Sequence, residues 1–198
     1  MLYDATRNDH GLQIDPFKAL IVPRPIGWIS SLGADGSVNL APYSFFNAMS
    51  DTPAYVVFGS HGRKDSISNI EETGEFVCNL ATWDLREAVN ASSATVAHGV
   101  DEFELAGLGK AESRFVKPPR VAEAPAAFEC VYEQTVKLAA HDPEKGYSIV
   151  VGRVVGVYID DRFIHDGRVD TAGFKPIARL GYSEYAVVED VFRMRRPD

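Results

Sequence analysis

Pro25-Ile26-Gly27-Trp28-Ile29-Ser30-Ser31-Leu32-Gly33-Ala34-Asp35-Gly36-Ser37-Val38-Asn39-Leu40 reads as a β-hairpin. Pro25 to Leu32 is apolar and β-prone, and Gly33-Ala34-Asp35-Gly36 supplies residues that tolerate positive φ. Ser37 to Leu40 can then return alongside the first strand. The same punctuation repeats outward from this hairpin. Ala54-Tyr55-Val56-Val57-Phe58 and Glu75 to Leu80 are buried-strand candidates, Phe128 to Leu138 is a longer strand, and Tyr185 to Val188 a short one. Gly146 to Asp160 is a long β segment in which Ile149, Val151, Val155, Val157 and Ile159 share one face, with Arg153 the exception.

Helical patterns are fewer. Asp65 to Thr73 has Ile67 and Ile70 three apart and Gly74 placed as a stop. Trp83 to Ala91 follows Thr82 as a candidate N-cap, with Leu85, Ala88 and Val89 on one side. Asp101 to Ala106, ended by Gly107, is a shorter helical segment. Many β segments at short spacing, too irregular for βαβ units, predict a mainly antiparallel barrel with accessory helices. Closure suits such a chain because it removes exposed strand edges.

The chain has 198 residues, a length that fits one domain with a core large enough to need neither disulfides nor a structural metal. Hydrophobic residues make up 45% and charged residues 24%, which argues against disorder. Twenty Lys and Arg stand against 28 Asp and Glu, a net charge of −8 that opposes binding to a phosphate backbone, so nucleic acid is not expected as a partner. No apolar run approaches the ~20 residues of a membrane span, and Met1-Leu2-Tyr3-Asp4-Ala5-Thr6-Arg7 lacks a signal-peptide pattern, so a soluble, cytoplasmic protein is expected. Cys78 and Cys130 each sit in an apolar run without Cys-x-x-Cys spacing and read as reduced, buried thiols.

Several motifs are missing. There is no Gly-x-Gly-x-x-Gly after a strand, no Walker loop, no His-Glu-x-x-His and no Gly-x-Ser-x-Gly. Histidines 10, 61, 98, 141 and 165 are scattered without metal-ligand spacing. Two local features carry chemistry instead. Gly59-Ser60-His61-Gly62-Arg63-Lys64-Asp65-Ser66 leaves a strand and enters a helix, where unpaired N–H groups, two hydroxyls and two cations suit a phosphate monoester. The plainer reading is a solvated connection in which Asp65 or Ser66 caps the helix. Asn39 to Ser50 reads as a loop alternating aromatics with small polar residues, which suits a flat heterocycle with several acceptors. The plainer reading there is a set of rings plugging the barrel end, and Trp28 likewise fits either a core or a ring wall.

Taken in order, these segments resemble the flavin reductase-like family, whose fold is the FMN-binding split barrel. The resemblance is carried by Pro23-Arg24-Pro25-Ile26-Gly27-Trp28-Ile29-Ser30-Ser31, by Asn39 to Asn47, and by Ser60-His61-Gly62-Arg63-Lys64-Asp65-Ser66. It continues through Thr73-Gly74-Glu75-Phe76-Val77, Val100-Asp101-Glu102-Phe103, Phe128-Glu129-Cys130, Val151-Gly152-Arg153-Val154 and Ala178-Arg179-Leu180-Gly181. It implies a mainly β, six-stranded antiparallel Greek-key split barrel with accessory α-helices, one domain over residues 1–198 with its core at about 15–190. It further implies a homodimer that binds FMN, takes hydride from NADH or NADPH, and in some members supplies reduced flavin to a monooxygenase.

Carried over by position, the resemblance puts Trp28, Ser30 and Ser31 on the strand beside the flavin. Ala41, Tyr43, Ser44 and Asn47 fall in the segment facing its ring, and Ser60, Arg63, Lys64 and Ser66 around its phosphate. No catalytic side chain and no metal are implied, since flavin chemistry asks the protein mainly for orientation and charge. One departure stands out. Where some members place a histidine thought to lie near the nicotinamide, this chain has Tyr147, with His141 the nearest histidine in sequence. That departure favours, as alternatives, an FMN electron carrier reduced by a protein partner, or a barrel that binds another planar molecule without catalysis.

Overall fold

The computed structural model describes residues 1–140 and 146–197. After the single turn α1 (Phe17–Leu20) and the two-residue β1 (Arg24–Pro25), the expected hairpin forms from β2 (Gly27–Leu32) and β3 (Val38–Tyr43). Its turn is closed by the Gly33 N–H donating to the Ser37 carbonyl at 2.8 Å, with Gly36 at φ +86°. A second hairpin follows, β4 (Phe46–Asp51) and β5 (Ala54–His61), then α2 (Asp65–Thr73), β6 (Glu75–Leu80), α3 (Arg86–Ala91) and α4 (Glu102–Leu105). Short β7 (Lys110–Ala111) and β8 (Arg120–Val121) pair with each other before the long hairpin β9 (Ala126–Lys137) and β10 (Tyr147–Ile159). A small hairpin, β11 (Ile164–His165) and β12 (Arg168–Val169), and the strands β13 (Ile177–Arg179) and β14 (Tyr185–Val187) complete the chain.

The main sheet is antiparallel throughout, in the order β3-β2-β6-β9-β10-β5-β4. The expectation of six strands in a closed barrel is corrected on both counts. The sheet has seven strands, and among the described residues no ladder joins its two edges, β3 and β4. Those edges are nonetheless consecutive in the chain. Only Ser44 and Phe45 separate them, and the Phe45 carbonyl accepts from the Gly59 N–H of β5 at 2.7 Å. A two-residue corner thus does what a ladder would do in a closed barrel.

Alternation along β2 divides the core in two. Ile29 points into a cluster with Tyr43, Val56, Phe58, Ile67, Ile70, Phe76 and Val150, where α2 covers the curl of the sheet. Trp28 points the other way, into a cluster with Ile26, Leu40, Val89, Phe103 and Val121 beneath α3 and α4. Cys78 and Cys130 are both free and buried in the first cluster. Burial raises the Cys78 thiol well above its ordinary pKa, and the neighbouring Cys130 adds to the shift.

Two local expectations are also corrected. On β10 the core takes Val150 and Gly152, with Val154 packed against it, rather than the odd-numbered face. One inward position is glycine: a Cβ at Gly152 would lie 2.2 Å from the buried Phe76 Cζ. The register shift between Val154 and Gly156 turns Gly156 to the other face, opposite Glu129, where a Cβ would lie 2.5 Å from Phe115 Cδ2 of a largely exposed ring. The helix expected from Trp83 begins only at Arg86, since Thr82 is taken by a bridge to Pro176 and does not cap it.

Candidate functional site

Strand β5 ends at His61, Gly62 turns the chain at φ +66°, and Lys64 in extended conformation occupies the N-cap of α2. No side chain caps this helix, so the plainer reading of Asp65 or Ser66 as a cap does not hold. The first intrahelical bond of the turn runs from Ser68 N–H to the Lys64 carbonyl at 3.0 Å. The N–H groups of Asp65, Ser66 and Ile67 therefore have no intrahelical partner and present the positive end of the dipole.

β3 lies across this helix end. Asn39 Nδ2 donates to Ser66 Oγ at 2.8 Å, which fixes both side chains. Tyr43 is 6% exposed and Ser60 1% exposed, yet among the described residues neither the Tyr43 hydroxyl nor Ser60 Oγ has a hydrogen-bond partner. Burial raises the Tyr43 pKa, and the Ser66 and Ser60 hydroxyls lie close enough to oppose that shift without closing a bond. Two orphaned hydroxyls in one place cost stability, roughly 1–3 kcal/mol each, unless a ligand completes them.

The hollow beside them has a volume of about 230 Å³. Its walls are Asn39, Ala41, Pro42 and Tyr43 from β3, Lys64, Asp65 and Ser66 from the start of α2, the segment Ser92 to Val96, and Glu102 of α4. Lys64 brings a cation, but Asp65 and Glu102 bring acids. Glu102 is 6% exposed, and its Oε2 accepts from the Leu40 N–H at 3.0 Å. Burial raises its pKa; the Leu40 hydrogen bond opposes this, and Asp65 and Asp101 add to it. Over the same region His98 Nδ1 stands 3.2 Å from Asp65 Oδ2.

The structure thus brings Ala41, Tyr43, Lys64 and Ser66 to one cavity, with Ser60 adjoining the Tyr43 hydroxyl. Other expected residues go elsewhere. Trp28 is fully buried and its Nε1–H donates to Ser92 Oγ at 2.9 Å, so it takes the core position rather than that of a ring wall. Ser30 and Ser31 have no exposed surface. Ser30 Oγ donates to the Pro119 carbonyl at 2.6 Å, and Ser31 Oγ accepts from Asn69 Nδ2 at 3.3 Å. Ser44 sits at the corner, and exposed Asn47 accepts the Ala48 N–H at 2.9 Å. Arg63 turns away from the cavity, pairs with Glu71 at 2.7 Å, and lines a separate hollow of about 480 Å³. Ala41 to Asn47 is not a loop but the end of β3, a corner and the start of β4, because both edge strands extend into it.

Asn39, Asp65, Ser92 to Val96 and Glu102 were not among the expected site residues. The hydroxyl-rich run Ser92-Ser93-Ala94-Thr95 between two helices is the signal that could have found part of this wall. A further aromatic group lies at the same end of β5. Tyr147 opposes His61 in the β10–β5 register, with ring centroids 4.9 Å apart, and Phe45 stands 6.0 Å from Tyr147. Phe45 and Tyr147, but not His61, border a hollow of about 510 Å³ formed with Phe17, Val57, Gly59 and Ile149. His141 lies outside the described residues. Among the described residues no group of three or more metal-ligating side chains occurs, and no helix is long and apolar enough to cross a membrane.

Orphaned hydroxyls, an uncapped helix end and a lysine together form a set of donors suited to an anionic group. A family model for the flavin reductase like domain matches residues 19–173. An uncharacterized protein of Aquifex aeolicus is 35% identical over 84% of this chain and 85% of its own length. The crystal structure of nitrilotriacetate monooxygenase component B from Bacillus cereus is 31% identical, with a TM-score of 0.89 over 98% of each chain. That of the 2-nitrobenzoate 2-nitroreductase NbaA of Pseudomonas fluorescens is 28% identical, with a TM-score of 0.87 over 100% of this chain and 96% of that one. By its family match and by the relatives that span nearly its whole length, this chain belongs to the flavin reductase-like family.

Proposed function

We propose that this protein binds FMN and is an NAD(P)H-dependent flavin reductase. The observation that carries the reading is the uncapped start of α2 facing Lys64, Ser66 and the partnerless hydroxyls of Tyr43 and Ser60. Each of those groups can donate to a phosphate monoester, and the helix dipole favours its charge. The Ala41 to Asn47 corner would present backbone and aromatic edges to the ring. When bound, a flavin would supply the redox chemistry, and the residues of this chain would supply position, charge and exclusion of water. The hollow lined by Phe45 and Tyr147 offers flat surfaces on which a nicotinamide could stack.

The chain is read as one functional domain over its whole length and as a cytoplasmic homodimer. Exposed Leu12, Ile14, Phe17 and Leu20 in the N-terminal arm offer an apolar surface for a second copy. Likeness to a monooxygenase component B supports a role in supplying reduced flavin to a separate oxygenase. Tyr147, standing where the resemblance places a histidine, favours a second reading: an FMN electron carrier reduced by a protein. An anaerobic absorbance titration of the FMN-loaded protein with NADH and NADPH separates the two. Bleaching of the flavin band by either nucleotide is expected. A loaded protein that neither nucleotide bleaches points to the carrier, and a protein that takes up no FMN overturns both readings.

A further inference from the structure

We propose that Glu102 is a ligand-binding residue that meets the anionic end of the flavin as a neutral carboxylic acid, so that phosphate-bearing flavin binds through a proton held on this side chain. The inference rests on placing the phosphate in the cavity at the start of α2. A phosphate there would share a hollow of about 230 Å³ with Glu102, which forms part of its wall. One carboxyl oxygen, Oε2, accepts the Leu40 N–H at 3.0 Å, and we assign the other, Oε1, to the ligand. As a carboxylate that oxygen could only repel an anion; as an acid it donates to one. Glu102 is 6% exposed, burial raises its pKa, and the acids facing it, Asp65 from α2 and Asp101 at the start of α4, act in the same direction. Lys64 is the cation on the cavity wall, and Lys110 is engaged in an ion pair with Asp101.

The alternative is that Glu102 merely satisfies the Leu40 N–H. The two are distinguished by pH. Binding to the wild type is measured from pH 5 to 8 with riboflavin 5′-sulfate, whose anion does not titrate in that range, and with riboflavin. Affinity for the sulfate ester is expected to fall about tenfold or more across this range, while riboflavin affinity stays level. Glu102→Gln, which donates at every pH, is expected to keep the low-pH affinity and remove the dependence. A level wild-type profile for the sulfate ester overturns the proposal without recourse to the variant. Should FMN and riboflavin bind the wild type equally well, the placement of the phosphate fails instead, which is a separate result.

Discussion

The His61 imidazole lies against the Tyr147 ring across the β5–β10 ladder, centroids 4.9 Å apart. A tyrosine that sequence alone sets against a missing histidine therefore has one beside it, delivered by the neighbouring strand. His61 is exposed, so a nicotinamide bound as proposed beside Tyr147 could also reach its ring. His61→Ala is expected to raise KM for NADH or NADPH about fivefold, the worth of one aromatic contact, and to leave the FMN Kd within twofold. Steady-state reduction assays with equilibrium FMN titrations check this. An unchanged KM would remove His61 from the nucleotide site.

The two adjacent cations of the β5–α2 connection are not equivalent. Lys64 lines the cavity at the helix start, whereas Arg63 is held by Glu71 on the other side. Lys64→Ala is expected to weaken FMN about tenfold and riboflavin hardly at all, because only FMN carries a phosphate. Arg63→Ala should change FMN affinity less than threefold, as its pair is exposed and weak. Fluorescence titration of both variants with both flavins gives the four numbers needed. Equal losses for FMN and riboflavin in Lys64→Ala would place the phosphate elsewhere.

Tyr43 carries a buried hydroxyl with no partner in the ligand-free chain. Removing it should relieve that chain and penalise the complex. Tyr43→Phe is expected to raise the stability of the FMN-free protein by about 1 kcal/mol in urea unfolding and to weaken FMN about fivefold. Opposite signs for stability and affinity mark a group kept for a ligand. Loss of both together would mean that Tyr43 is structural only.

Gly152 tests the sheet rather than the site. Its missing Cβ leaves room for Phe76, which would otherwise stand 2.2 Å away. Phe76 is fully buried and cannot yield without disturbing its neighbours Phe58 and Cys130. Gly152→Ala is therefore expected to cost about 1–3 kcal/mol in chemical denaturation. A variant as stable as the parent would show that the ring moves freely.

Much of the fold is legible because it is local. The Gly33 to Gly36 turn, the bounds of Glu75 to Leu80, and Gly74 as the end of α2 at φ +79° each depend on neighbours in the chain. The same holds for Asp101, whose side chain accepts the N–H groups of Phe103 and Glu104 as the N-cap of α4. Where the sequence misleads, a distant element has intervened. Gly152 hides an inner position of β10 because Phe76 fills it, a register shift turns Gly156 to the other face, and Thr82 cannot cap α3 because Pro176 pairs with it.

The sequence by itself determined that the chain is mainly β, that a basic, glycine-flanked connection leads into a helix, and which family it resembles. Only tertiary structure decided which side chains meet there. Trp28, Ser30 and Ser31 are neighbours on one strand, yet their surroundings bury all three against protein. Asn39, Tyr43, Lys64, Ser66 and Glu102 come from three separate elements and line one hollow. Spacing along a chain fixes turns and caps, because those depend on a few consecutive dihedrals. A cavity depends on how strands far apart in sequence are ordered in the sheet, and that ordering is set by the packing of the whole core.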